Sequence, residues 1–303
     1  MTLRLAILCS GQGAQHGGMF ELARSAAGMA AQIEAWALPA ADADFFANRN
    51  AQPLVVGAAC AIWQALQGRL PRPHVVAGYS VGEVGALAVV GVMTAAEAVA
   101  LARTRAGLMD ACVDPQQPQG LAAVSGLAPS ALRPLLAGAG ASTPCYVAIE
   151  NGVDQVIVGG LSAAFDALQA RVEASGGRMQ RLPVGIASHT PLMAAAVTAL
   201  QDAVATLDLA LPQARLLAGV SGAVAADAAT AVRNLVAQTT ATVRWSACMD
   251  AIAESGATAA LELGPGAALA RMLSARHPHI ACRAVDDFRS LDGIVRWIAR
   301  AGG

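Results

Sequence analysis

Short apolar runs alternate with helix-length amphipathic segments in the first part of the chain. Leu5–Cys9 and Val75–Gly78 are apolar runs that end at a turn residue, which is typical of buried parallel strands. The segments around them have helical spacing, and Thr94 with Glu97 forms the pattern of a capping box. We expect helices over residues 20–37, 53–66, 81–90 and 94–109.

The pattern changes between residues 120 and 190. We expect strands over residues 121–125, 145–149, 155–158 and 178–184, and helices over residues 129–136 and 161–174. The order βαββαβ is that of a ferredoxin-like unit.

A third section returns to the first pattern. We expect helices over residues 191–207, 227–238 and 245–255, and strands over residues 214–220 and 259–263. The sequence therefore predicts a large α/β domain with a parallel sheet, formed by residues 1–119 and 191–303. A small α+β domain of residues 120–190 interrupts it.

Composition excludes several classes of function. The net charge of −1 gives no electrostatic case for binding nucleic acid. The chain contains no lysine, which excludes a Schiff-base lysine, a pyridoxal-phosphate lysine and the lysine of a phosphate-binding P-loop.

The charge-free apolar run 84–96 is shorter than the ~18–20 residues that span a bilayer. The six cysteines form no CxxC pair, as expected for reduced thiols. We expect a cytoplasmic protein without membrane association.

A nucleophile elbow is the most specific local pattern. Gly78–Gly82 reads Gly-Tyr-Ser-Val-Gly, which matches G-x-S-x-G, with an apolar strand before it and a helix after it. The glycines allow a sharp turn that presents Ser80 Oγ at the end of the sheet. The following backbone N–H then faces a developing oxyanion. The alternative is a chance pentapeptide in a chain rich in glycine and alanine.

A serine nucleophile needs a base, and position in the fold separates the histidines. His277 and His279 lie in a stretch that we expect to be a surface loop, and His74 lies at the wrong end of the strand leading to Ser80. His189 lies where the chain re-enters the large domain, which is a natural cleft position. The alternative for a lone histidine is a hydrogen-bonded structural role.

Gly11–Gln15 follows the first strand but fails as a dinucleotide fingerprint, because His16 stands where a third glycine is needed. A loop whose N–H groups face a ligand fits better. Five segments then stand in one order and spacing: Gly11–Gln15, Gly78–Glu83, Arg105, Ser188-His189 and Leu263–Gly266. Together they resemble the malonyl-CoA:acyl-carrier-protein transacylase family over nearly the whole chain.

The resemblance implies a fold, a reaction and a set of partners. The fold is a hydrolase-like α/β domain with a ferredoxin-like insertion. The activity is that of an acyltransferase with malonyl-CoA as substrate and an acyl carrier protein as partner, without cofactor or metal. Ser80 corresponds to the nucleophile and His189 to the general base and acid. The backbone N–H groups of Gln12 and Val81 correspond to the oxyanion hole.

Four further residues correspond to substrate-binding positions of the family. Arg105 matches the arginine that binds the free malonyl carboxylate, a pairing that suits the planar guanidinium. A solvated helix arginine like Arg103 is the alternative. Gln238 matches a residue whose backbone carbonyl orients the histidine. Asn151 and Gln52 match positions that line the cleft.

Three departures from the family pattern point to a particular branch. Tyr79 stands where the family usually has histidine, Ser10 where it has proline, and Ala187 where it has proline or a bulky residue. The segment Cys9–Gln15, the elbow and the ending Ala284–Ser290 resemble the epsilon subunit of malonate decarboxylase, which loads that enzyme's own carrier subunit. A transacylase of fatty acid or polyketide synthesis, a serine ester hydrolase and a non-catalytic carrier-binding scaffold stay open as alternatives.

Overall fold

Two β-sheets organise the chain. The computed structural model describes residues 3–40, 43–137 and 143–301, so the expected domain ends at residues 1 and 303 lie outside the described residues. The strands are β1 Leu5–Cys9, β2 Val75–Gly78, β3 Gln119–Ser125, β4 Cys145–Glu150, β5 Gln155–Leu161, β6 Arg178–Arg181, β7 Arg215–Leu216, β8 Ala259–Leu263 and β9 Ala281–Ala284.

Helices cover both sheets. They are α1 Glu21–Arg24, α2 Met29–Ala35, α3 Asn48–Leu66, α4 Gly82–Val89, α5 Ala95–Asp110, α6 Pro129–Ala137, α7 Phe165–Ala174, α8 Val197–Ala205, α9 Ala228–Ala237, α10 Trp245–Glu254, α11 Ala268–Arg276 and α12 Leu291–Ala301. In the described part of the chain, no helix is long and apolar enough to cross a lipid bilayer.

The large sheet has the order β7-β2-β1-β8-β9, with every neighbouring pair parallel. Every residue of β1, β2 and β8 is buried, because helices cover both faces of the sheet. Since parallel strands end at the same edge, the segments after these three strands meet there. They are Gly11–Gln15, Tyr79–Gly82 and Gly264–Gly266.

The small sheet has the order β4-β5-β3-β6 and is antiparallel, with α6 and α7 in the connections. Leu132 of α6 and Leu168 of α7 pack with Val158 of β5 in a separate apolar core. The predicted α/β fold, with a parallel sheet and a small ferredoxin-like α+β unit, is confirmed. The domain boundaries at residues 120 and 190 stay a prediction.

Several expected elements differ from the structure. The helix expected over 20–37 is two short helices, α1 and α2, separated at Gly28, whose φ of 79° is incompatible with a helix. The helix expected from Pro53 begins at Asn48 and keeps the proline inside it. The expected strand 214–220 is only Arg215–Leu216, and the expected helix 191–207 begins as the 3₁₀ turn Pro191–Ala196.

The stretch from His277 to His279 is a turn, as expected, and His279 is exposed. It follows helix α11, which the sequence pattern missed, and His277 caps the end of that helix. His277 Nε2 lies 2.9 Å from Asp250 Oδ1, and Arg276 donates to the same carboxylate at 2.6 and 2.7 Å. The half-buried His277 therefore contacts the Asp250–Arg276 ion pair.

Candidate active site

The serine elbow at the end of β2 depends on its glycines. Ser80 has a φ of 55°, in the left-handed region that a serine rarely occupies. A Cβ on Gly78 would lie 2.3 Å from the Glu83 backbone nitrogen, and a Cβ on Gly82 would lie 2.1 Å from the Cys9 carbonyl oxygen. Only glycine fits at either position, so the pattern is a steric requirement of the turn.

His189 is the partner of the serine. Its Nε2 lies 2.7 Å from Ser80 Oγ, and its side chain is buried. His189 has a φ of 63°, and its backbone N–H donates to the Thr239 carbonyl at 3.0 Å. The strained backbone and this anchor aim the imidazole at the elbow. The structure therefore brings together the two residues that the sequence nominated as nucleophile and base.

A backbone carbonyl, and not a carboxylate, contacts the other nitrogen of His189. Nδ1 lies 2.5 Å from the carbonyl oxygen of the buried Gln238. A carbonyl oxygen only accepts, so Nδ1 carries the proton and Nε2 is free to accept from Ser80. Burial, reinforced by the charge of Arg105, lowers the pKa of His189 to about 3, although the bond to Gln238 opposes this shift. The imidazole is therefore neutral and poised as a base.

Arg105 extends the site beneath this pair. Its side chain is 1% exposed, although it lies on α5 only two residues from the exposed Arg103. One terminal nitrogen donates to Gln52 Oε1 at 2.7 Å and the other to Gln238 Oε1 at 3.3 Å. Gln52 is held in turn by Asn48, which accepts from Gln52 Nε2 at 2.8 Å. Neutral amides thus orient the guanidinium.

The charge of Arg105 is incompletely compensated. Within the described ranges, its Nε has no hydrogen-bond partner and no carboxylate forms an ion pair with it. Burial lowers its pKa to about 10, and the negative charge of Glu83 opposes the shift. A buried guanidinium with an unused donor is suited to binding an anion.

Two backbone N–H groups are available beside the serine. Gln12 follows β1 and Val81 follows Ser80, at adjacent strand ends. Among the described residues, neither N–H has a hydrogen-bond acceptor, although most buried backbone groups are paired. Free donors at this edge of the sheet could stabilise an oxyanion.

Tyr79 connects the elbow to both sheets. Its ring packs edge-on against Trp245 with centroids 5.4 Å apart, and burial raises the pKa of its hydroxyl, a shift that the nearby Asn151 side chain, after β4, moderates. A Cβ on Gly11 would lie 2.8 Å from the Tyr79 ring, so the loop after β1 rests directly on this side chain. Asn151 therefore contacts the residue beside Ser80. In the described structure its buried Oδ1 has no partner.

A cavity of about 440 Å³ reaches His189 from outside. It is lined by Arg133 of α6 and Tyr146 of β4 on one side and by the loop of Thr242 on the other. A substrate arm can therefore approach the histidine between the two sheets. No group of three or more His, Cys, Asp or Glu side chains that could hold a metal ion occurs in residues 3–40, 43–137 and 143–301.

Sequence reasoning gave no role to Glu83. It lies on the first turn of α4 and is 3% exposed. Its carboxylate accepts from Gly219 N at 3.2 Å and from Gln238 Nε2 at 2.5 Å. The only sequence signal was its place directly after the elbow, in an apolar helix where a charged side chain is expensive to bury.

Comparisons with known proteins agree with this arrangement. The acyl transferase domain family matches residues 7–277. The malonyl CoA-acyl carrier protein transacylase of Mycobacterium tuberculosis is 33% identical, covering 95% of this chain and 98% of that protein. FabD from Acinetobacter baumannii superposes with a TM-score of 0.90 at 26% identity, covering 99% of this chain and 100% of that one.

A third similar structure is a malonyl-transacylase in complex with a holo type II polyketide synthase acyl-carrier protein. It superposes with a TM-score of 0.88 at 25% identity, covering 97% of this chain and 99% of that one. These three matches extend over nearly the full length of both this chain and the protein compared with it. The chain therefore belongs to the acyl transferase family that includes the malonyl-CoA acyl carrier protein transacylases, and it is an acyltransferase.

Proposed function

We propose that this acyltransferase moves a malonyl group from malonyl-CoA to the thiol of an acyl carrier protein, through a malonyl-Ser80 intermediate. The observation that carries the proposal is Arg105. It is buried, and its Nε has no partner in the described structure. The Gln238 side chain links it to the nucleophile, because it accepts a hydrogen bond from Arg105 and donates one to the Ser80 carbonyl. Of common acyl groups, malonyl carries a free carboxylate that this guanidinium could bind, whereas acetyl does not.

In the first half-reaction, His189 Nε2 takes the proton of Ser80 Oγ as the oxygen attacks the thioester carbon. Backbone N–H groups of Gln12 and Val81 stabilise the negative charge on the carbonyl oxygen. The carbon–sulfur bond then breaks, and the imidazolium returns its proton to the CoA thiolate. The products are malonyl-Ser80 and free CoA.

In the second half-reaction, His189 takes the proton of the carrier's thiol as its sulfur attacks the ester carbonyl of malonyl-Ser80. The ester bond breaks and the proton returns to Ser80 Oγ, which restores the free enzyme. Arg105 holds the malonyl carboxylate through both steps. The cavity beside His189 supplies an approach for the carrier's thiol arm.

The identity of the carrier is the finer part of the proposal. Relatives across the family are named malonyl CoA-acyl carrier protein transacylases and polyketide synthases, which supports a carrier of fatty acid or polyketide synthesis. The segment Cys9–Gln15, the elbow with Tyr79 and the ending Ala284–Ser290 favour the carrier subunit of malonate decarboxylase instead. Loading of the two carriers side by side decides between them, because the better substrate is the one with the higher kcat/KM.

Intact-protein mass spectrometry after brief mixing with malonyl-CoA tests the activity itself. We expect a malonyl-sized mass gain on the wild type, none on Ser80→Ala, and little gain with acetyl-CoA. Addition of a holo carrier protein should remove the adduct. A folded wild type that gains no mass and releases no CoA would refute the proposal. Loss of the adduct to water at the same rate without a carrier would indicate a hydrolase.

A further inference from the structure

Glu83 is a buried carboxyl group that the mechanism above does not use. One oxygen accepts from Gly219 N and the other from Gln238 Nε2. Both partners are donors only, so a protonated carboxyl would have no acceptor for its O–H among these contacts. The geometry is therefore that of an ionised carboxylate held by two hydrogen bonds.

Gln238 transmits the position of Glu83 to the rest of the site. Its Nε2 also donates to the Ser80 carbonyl at 3.0 Å, and its Oε1 accepts from Arg105. A reversed amide would direct its oxygen at two acceptors and its NH₂ at the guanidinium. Only one orientation of the side chain satisfies its neighbours. The same residue carries the carbonyl that orients His189.

We propose that Glu83 is a positioning residue that acts through Gln238, holding Arg105 and the histidine-orienting carbonyl in place beside Ser80. The inference deepens the proposed function and rests on it for any effect on malonyl transfer. The effect on the Ser80–His189 pair does not depend on the acyl group. Glu83 thus takes the place of a triad carboxylate indirectly. Its carboxylate bonds to the Gln238 side chain, and the Gln238 backbone carbonyl bonds to His189.

Charge balance gives the carboxylate a second effect. An imidazolium forms on His189 in the transition state, close to the buried cation of Arg105. Bound malonyl adds one negative charge, and Glu83 adds another. The developing oxyanion offsets the imidazolium and bound malonyl offsets Arg105, whereas with a substrate that has no carboxylate only Glu83 offsets Arg105, so the ionised carboxylate favours proton transfer to His189.

The ionisable groups facing Glu83 are Arg105 on α5 and Cys248 on α10, and His189 lies beyond Gln238. Burial raises the pKa of Glu83 to about 7, and the bonds from Gly219 and Gln238 and the charge of Arg105 moderate the shift. The pKa of His189 lies far lower, at about 3. Ionisation of Glu83 should therefore set the acidic limb of the pH profile.

The test measures how fast Ser80 reacts with a fluorophosphonate probe from about pH 5 to about pH 9. The wild-type rate should rise with pH around neutrality. Glu83→Gln should lower the plateau about 10- to 100-fold, because an amide cannot accept from both donors. The same substitution should also remove the fall in rate on the acidic side of the pH profile. The same substitution at the exposed Glu254, on α10, should change neither.

A second variant provides an independent test in case Glu83→Gln does not fold. A Cβ on Gly219 would lie 2.9 Å from Glu83 Oε2, so Gly219→Ala displaces the carboxylate without removing it. We expect a similar loss of probe reactivity in a protein with a wild-type circular dichroism spectrum. A folded Glu83→Gln variant that keeps the wild-type rate, or keeps the acidic limb, overturns the inference. Because the probe is not malonyl-CoA, neither result depends on the acyl-donor test above.

Discussion

Replacing Arg105 by leucine separates malonyl recognition from the chemistry at Ser80. Leucine fits the buried position on α5 but removes the charge and its donors. Two hydrogen bonds disappear, to Gln52 Oε1 at 2.7 Å and to Gln238 Oε1 at 3.3 Å. The Nε donor that has no partner in the described structure is lost as well. In the proposed mechanism, these donors hold the malonyl carboxylate.

The expected loss follows from the geometry. A hydrogen bond to a charged group contributes about 1.5–3 kcal/mol, and a guanidinium binds a carboxylate through two of them. Removing the pair should cost about 3–6 kcal/mol of transition-state binding, which is roughly 10²–10⁴-fold in kcat/KM for malonyl-CoA. Acetyl-CoA has no carboxylate to lose, so its kcat/KM should change by less than about 10-fold.

The assay is release of CoA thiol from malonyl-CoA and acetyl-CoA by each variant. Arg103→Leu is the matched control, because Arg103 lies on the same helix but is exposed and donates to the Trp36 and Ala37 carbonyls instead. It should leave the malonyl preference unchanged. If Arg105→Leu kept the wild-type ratio of malonyl to acetyl transfer, Arg105 would not be the carboxylate-binding residue.

Two further predictions concern the buried base and the elbow. The pKa of His189 lies below its usual 6.5 at about 3, so the unfolded chain binds the extra proton first and stability falls as pH drops below 6.5. Urea unfolding should show the wild type losing about 2 kcal/mol more than His189→Gln between about pH 6.5 and pH 5, and parallel curves would contradict a buried neutral imidazole. Gly82→Ala should cost about 3 kcal/mol, because its Cβ would meet a backbone oxygen at 2.1 Å. Gly85→Ala should be tolerated, because its Cβ would lie 3.6 Å from the Ala59 side chain, and equal melting temperatures of the two variants would refute the steric argument.

Local rules were sufficient where a neighbour in sequence decides the structure. The capping box of Thr94 and Glu97 forms as expected, with the Thr94 N–H donating to Glu97 at 2.7 Å. β2 and β8 have the predicted bounds, and the turn after β2 needs the two glycines of the elbow for steric reasons. The capping box and the contact of Gly78 with Glu83 span five residues or fewer, whereas the close approach at Gly82 is to Cys9 of β1.

Long-range interactions decided the elements that the sequence pattern missed. Pro53 is a plausible helix start on local grounds, yet α3 begins five residues earlier at Asn48, whose side chain bonds to Ala106 and Asp110 of α5. The strand expected over 214–220 shortens to two residues at the edge of the large sheet, where it pairs only with β2. Neither contact is visible in a local window of sequence.

The same limit applies to the site. Arg103 and Arg105 are equivalent in spacing, and only packing against Gln52 of α3 makes one of them a buried cation. Glu83 and Gln238 stand 155 positions apart, so no local pattern links them. The resemblance to the family predicted roles for Arg105 and Gln238, but it did not predict that both side chains are buried. Burial is what makes these polar groups depend on one another.

That dependence connects substrate choice to base strength. The charge of Arg105 helps to lower the pKa of His189 in the free enzyme. A bound malonyl carboxylate would offset this charge and so raise the basicity of the imidazole at the moment when it must take the Ser80 proton. Acetyl-CoA brings no such charge and would meet a weaker base. The arginine therefore favours malonyl twice, through the hydrogen bonds that it donates and through the histidine that it activates only when its carboxylate partner is bound.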